Sequence, residues 1–153
     1  MPAEYMLEWV RNWRTDPLWQ AISDLSWQDA DYSLLIAEVN HRNWVGQMVY
    51  AIKDGQPAPH RSLGDAEQCQ FGKWYGGHGK RRYGALPAYL GIDAPHRLVH
   101  QIATNMDAHW RDGQITAARA LIPDLLVARD DTLIAIRELQ LACAQKRTST
   151  HEA

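Results

Sequence analysis

The chain has 153 residues, a mass of 17.4 kDa and a formal charge of −2, from 16 Lys and Arg against 18 Asp and Glu. With 46% apolar and 22% charged residues it fits one globular domain able to bury a core without disulfides, which excludes a disordered chain and a nucleic-acid binder resting on overall positive charge. No apolar run reaches the ~20 residues of a membrane span and the start is not a secretory signal, so a cytoplasmic chain with no nucleic-acid partner and no membrane insertion is expected.

The predicted elements are helical almost throughout. Residues 3–14 form a short amphipathic stretch with Met6, Val10 and Trp13 at helical spacing, and Asp16-Pro17 breaks it. Residues 1–25 read as a Trp-rich extension carrying Trp9, Trp13 and Trp19. Ser26-Trp27-Gln28-Asp29 resembles a capping box, and the helix after it runs to about Lys53, where Asp54-Gly55 ends it. Ala30, Leu34, Ala37, Trp44, Met48 and Ile52 form its apolar stripe, and His41 falls on that stripe.

Residues 54–64 carry Gly55, Pro57, Pro59 and Gly64 and read as a loop. Asp65 to Tyr75 is a short helix containing Cys69, stopped by Gly76-Gly77. Residues 76–93 form a connection whose Lys80-Arg81-Arg82 run reads as solvated loop; a phosphate-binding role would need more basic residues converging on it. Asp93 can cap a helix over about 94–111, with Pro95 in its first turn and Gly113 as its stop. A last helix runs from Gln114 to about Gln145, kinked or joined at Pro123, before a frayed tail over 148–153. The architecture expected is all-α: an antiparallel four-helix bundle over 26–147, with an extra short helix carrying the Cys and an N-terminal helix.

His96-Arg-Leu-Val-His100 places two imidazoles at i and i+4, ~6 Å apart on one helix face, a spacing that suits one metal ion. Val99, Ile102, Ala103 and Met106 turn that side of the helix toward the core. With His41 and Cys69, the pair makes a three-nitrogen, one-sulfur set that Zn2+ accepts readily. Taken alone, Cys69 reads as a small buried hydrophobe. A di-iron bundle needs two Glu-x-x-His motifs, and Glu38-Val-Asn-His41 supplies one; a hemerythrin-like carrier needs more His and inward carboxylates. Nucleophilic catalysis by Cys69 lacks an oxyanion-hole signal beside it, and the nearby glycines read as close packing and helix termination.

Cys69-Gln-Phe-Gly-Lys-Trp-Tyr75 resembles the Cys-[Gln/Arg]-[Phe/Leu]-Gly-x-Trp core of the chemoreceptor zinc-binding domain family. Asn40-His41-Arg42-Asn43-Trp44 resembles that family's first-helix His and its aromatic. Leu86-Pro87-Ala88-Tyr89 followed by Asp93-Ala94-Pro95-His96-Arg97-Leu98-Val99-His100 resembles its loop Pro and His-x-x-x-His helix start. The resemblance spans about residues 30–145. It implies one Zn2+ held by His41, Cys69, His96 and His100, a four-helix bundle with a short Cys-bearing helix, and a homodimer. It also implies a link to chemoreceptors or diguanylate cyclases, the Cys-Gln-Phe-Gly variant being particularly similar to domains of zinc-regulated cyclases. In that family zinc inhibits an attached cyclase, and the zinc-bound Cys is linked to sensing hypochlorous acid.

No cyclase or receptor segment follows within these 153 residues, so the expectation is that output passes through a separate partner or that the chain is a detached module. Four protein ligands close a tetrahedral zinc and leave no position for substrate water, which favours a sensory or structural role over an enzyme. The readings carried forward are a zinc sensor, a redox sensor acting through Cys69, a zinc-stapled dimerisation module and an enzyme using Cys69. Glu38, Glu67 and Asp93 are the acidic candidates to orient the ligands. Trp44, Phe71 and Trp74 are expected to wall the site. His60, His78, His109 and His151 read as non-ligands, with His78 the likeliest to fold back, and Cys143 as a core or dimer-face residue. The Trp-rich extension either packs over the bundle or binds a partner.

Overall fold

The computed structural model describes residues 29–57 and 65–151. The expected N-terminal helix, the capping residues at 26–28 and His60 lie outside the described residues. Among the described residues every regular element is helical. The elements are α1 (Asp29–Lys53), α2 (Gln70–Trp74), a π-helical turn (Tyr75–Gly79), α3 (Lys80–Tyr83), α4 (Pro87–Leu90), α5 (Asp93–Arg111), α6 (Ile115–Ala120) and α7 (Ile122–His151).

Helix α1 follows the apolar stripe read from the sequence. Leu34, Ala37, Met48 and Ile52 are buried, joined by Val45 and Val49. It ends where Gly55 takes a left-handed backbone with φ 66°, and Gln56 N–H donates to the Ala51 carbonyl at 2.8 Å. Helix α5 ends the same way, with Gly113 at φ 74° and Gln114 N–H donating to the His109 carbonyl at 2.8 Å. These two positions require a residue without Cβ strain at positive φ.

The last helix expected from Gln114, kinked or joined at Pro123, is joined just before that residue. α6 closes at Ala120 and α7 opens at Ile122, with Pro123 in its first turn, where its missing N–H leaves no intrahelical bond unmade. α7 also continues to His151, past the Gln145 at which periodicity ends it.

The short-helix region departs further from expectation. Asp65–Cys69 is turn, so Cys69 caps α2 rather than lying inside a helix. Gly76 and Gly77 do not stop the chain; they sit in the π-helical turn, which runs on into α3. Lys80-Arg81-Arg82 is therefore helical, not loop. The turn holds because Gly79 admits the Trp74 ring, whose Cζ3 would lie 2.9 Å from a Cβ there. Tyr75 and Tyr89 stack at 4.2 Å and exchange hydroxyl-to-carbonyl hydrogen bonds, which ties the turn to α4.

Two apolar clusters form the core. The first joins Val45, Met48 and Ile52 of α1 to Val99, Ala103 and Met106 of α5 and Leu125 of α7. The second joins Leu34 of α1, Phe71 of α2, Tyr89 of α4, Ile92, and Ile136 and Leu139 of α7. His41 lies between Ala37 of the second cluster and Val45 of the first, and His96 between Ile92 and Val99. The histidines thus sit at the seam of the two clusters.

Candidate metal centre

Three elements bring four ligand-type side chains to that seam. His41 comes from the middle of α1, Cys69 from the cap of α2, and His96 and His100 from successive turns of α5. One ligand atom from each lies within 4.8 Å of every other. Tetrahedral zinc with bonds of about 2.0–2.3 Å sets its ligand atoms about 3.3–3.7 Å apart. Cys69 Sγ and His96 Nε2 already stand at 3.3 Å. The set therefore needs a contraction of about 1.5 Å at most, which side-chain torsions supply.

The three imidazoles are 6%, 3% and 4% exposed, for His41, His96 and His100. Burial pushes the His41 pKa down to about 4, against the raising effect of its hydrogen bond to the Ala37 carbonyl. Burial, then the neighbouring His41 and His100, push His96 down to about 3. Both rings are neutral at pH 7, the form that donates a lone pair to a metal. His41 Nδ1 lies 2.9 Å from the Ala37 carbonyl, so its proton sits there and Nε2 faces the cluster. The rings brace each other edge to face, His41 to His96 at 5.0 Å and His96 to His100 at 4.9 Å between centroids.

The Cys69 thiol is pushed up by burial, partly offset by the N–H groups of Gly72 and Phe71. Sγ accepts from Gly72 N–H at 3.1 Å, the capping bond of α2. Gly72 is required by contact: a Cβ there would stand 1.7 Å from the Ala66 carbonyl oxygen. The Cys-Gln-Phe-Gly sequence is thus one device, the Gly letting the turn before Cys69 fold onto α2 so that its amide reaches the sulfur.

Phe71 sets its edge against His41 and His96, both at 5.0 Å, and Trp44 stacks on His100 at 5.1 Å. Trp74 does not reach the ligands; it stacks on Phe71 at 5.6 Å, one layer behind. A cavity of about 150 Å³ opens onto His41, Cys69 and His100, with Asn40 and Gln70 in its wall. Those two polar residues carried no sequence signal. Cys69 is half-buried and reached from this side, whereas Cys143 is buried among Leu139 and Ile136.

None of the three acidic candidates contacts a ligand. Glu38 is fully buried and accepts from Arg137 at 2.8 Å and Arg42 at 3.3 Å, bridging α1 to α7. Glu67 and Asp93 both bind Arg97, each at 2.9 Å. His78 is exposed and His109 bonds Gln114 at 2.7 Å, so neither joins the cluster.

All four clustered residues fall in one stretch of chain. Residues 41–106 match the family model of the chemoreceptor zinc-binding domain. The matched segment begins at His41 and contains Cys69, His96 and His100, and it is narrower than the 30–145 suggested by motif resemblance. No curated protein and no solved structure matches the chain. The donor set of this segment, three imidazoles and one thiol, fits Zn2+, which takes nitrogen and sulfur at tetrahedral geometry. It fits poorly with magnesium or calcium, which require oxygen. A bound zinc would supply a fixed positive charge that holds Cys69 as thiolate.

Proposed function

We propose that this chain is a zinc-responsive regulatory module in which His41, Cys69, His96 and His100 bind one Zn2+. Metal occupancy sets how the Cys69 segment packs against α1 and α5. The convergence of four ligand atoms from three separate elements supports this reading. Of those elements α2 is the shortest, five residues against 25 for α1 and 19 for α5, so it has the least packing of its own to hold it without metal. A homodimer or a separate signalling protein, a chemoreceptor or a diguanylate cyclase, would read the change. All four zinc positions are filled by protein, which favours regulation over catalysis. The cytoplasm is the proposed compartment, because a zinc-bound thiolate needs a reducing one.

The test is hydrogen–deuterium exchange of the full chain with and without zinc, with zinc content measured on each sample. Protection over residues 65–83 that falls on metal removal, with α1 and α7 unchanged, is the expected result. Equal protection in both states would reduce zinc to a passive staple. A second reading has the half-buried Cys69, open to the 150 Å³ cavity, as a target for an oxidant such as hypochlorous acid. It requires Cys69 to be oxidised before Cys143, with zinc release tracking the loss of the thiol.

A further inference from the structure

A second site lies on the far side of the Cys69 segment. A cleft of about 920 Å³ runs between the 65–76 segment, α3 and the start of α5. That volume lies in the range of small-molecule sites. Five cationic side chains line it, Lys73, Lys80, Arg81, Arg82 and Arg97, against two carboxylates, Glu67 and Asp93. Both carboxylates are already held by Arg97. Among the described residues Lys73, Lys80 and Arg81 have no carboxylate partner, and Arg82 has only the face of the Tyr83 ring, 5.6 Å from its centroid.

The whole chain carries a charge of −2, so a surplus of positive charge in one concave wall is a local arrangement. The basic run alone would read as a solvated face. The structure adds Lys73 from α2 and Arg97 from α5 to it, because the backbone stays helical from α2 through the π-helical turn into α3, so that Lys73 and the Lys80-Arg81-Arg82 run line one cleft together with the start of α5. Gly76 lines the same cleft, and a Cβ there would meet nothing within 4 Å, so the floor beside the cations is open. π-helical turns of this kind concentrate at functional sites.

We propose that this cleft binds a small organic anion carrying two or more phosphate groups. Arg and Lys forks suit phosphate oxygens, and a concave cationic wall raises the local concentration of such ligands. The concave shape and its volume favour a soluble molecule over a membrane surface. This site is separate from the metal reading, although His96 forms part of its inner wall.

The test is calorimetric titration of the zinc-loaded full chain with fructose 1,6-bisphosphate, at about physiological ionic strength. The sugar bisphosphate is chosen because its separated phosphates chelate zinc weakly. Saturable one-to-one binding with Kd below about 1 mM is expected. Lys80→Gln with Arg81→Gln, and separately Gly76→Glu, should each weaken it at least tenfold, with helicity and zinc content unchanged. Gly76→Glu places a carboxylate in open space at a helical backbone position, so it tests charge without disturbing packing. No saturation, equal affinity in the variants, or binding seen only to vesicles containing phosphatidic acid would each overturn the proposal.

Discussion

Zinc uptake should release fewer protons than an exposed ligand set would, because burial keeps His41 and His96 neutral in advance. The perturbation is pH. With the His41 pKa near 4 and that of His96 near 3, neither ring carries a proton at pH 6. The Cys69 thiol, raised above its ordinary 9.0, is fully protonated there and must lose its proton to the metal. Three imidazoles at the ordinary value would each be about three-quarters protonated at pH 6, so an unfolded or exposed ligand set would release about three protons. With two of the three imidazoles already neutral, the folded site should release at most two protons, the thiol's among them. Above pH 7.5 the thiol alone remains, so affinity should rise about tenfold per pH unit, or about 1.4 kcal/mol. Calorimetry in two buffers of different ionisation enthalpy counts the protons, and competition against a chelator of known affinity gives the slope. Release of three or more protons at pH 6 would refute the claim that burial holds these rings neutral. Release near zero would show a thiolate formed before the metal arrives.

The same shifts bear on the metal-free fold. His41 and His96 bind protons in the unfolded chain below about pH 6.5 but not in the native one until about 4 and 3, so stability is present above 6.5 and is lost as pH falls toward 4. Urea melts of metal-free protein should show a loss of a few kcal/mol over that window, and a flat profile would contradict the burial argument. Gly72→Ala should cost roughly 3 kcal/mol and weaken zinc binding, since its Cβ meets backbone, while Gly76→Ala should be neutral or gain about 0.5 kcal/mol. Equal effects of the two substitutions in denaturant titrations would show that the close approach of Ala66 is not what fixes Cys69. Glu38→Ala removes the buried carboxylate that bridges α1 and α7 and should cost about 3 kcal/mol with one zinc still bound; a change below 1 kcal/mol would mean the bridge is incidental.

Much of the site was legible because metal ligation constrains residue type. Few patterns other than a metal site place His41 on a buried stripe and pair His96 with His100 on an inward face. The long helices were legible from their period and their Gly55 and Gly113 stops. The 65–93 region was not. Glycines at 76, 77 and 79 read as close packing and helix termination; the close packing holds at Gly79, where Trp74 fills the space that a Cβ would occupy, but the backbone stays helical instead of terminating. That one misreading also turned Lys80-Arg81-Arg82 into loop and hid the cationic cleft. Glu38 is one of three acidic residues that the sequence offers as candidates to orient a ligand. Its actual partner, Arg137, stands 99 residues away, a separation that local pattern cannot bridge. Asn40 and Gln70 were missed because a cavity wall imposes no periodicity.

The central claim is a single zinc bound by three histidines and one cysteine. X-ray absorption at the zinc edge on the full chain tests it most directly. The account predicts one sulfur at about 2.3 Å and three nitrogens at about 2.0 Å, with the sulfur shell lost in Cys69→Ala. A shell of nitrogen and oxygen alone in the wild type, or a sulfur shell that survives Cys69→Ala, would contradict it.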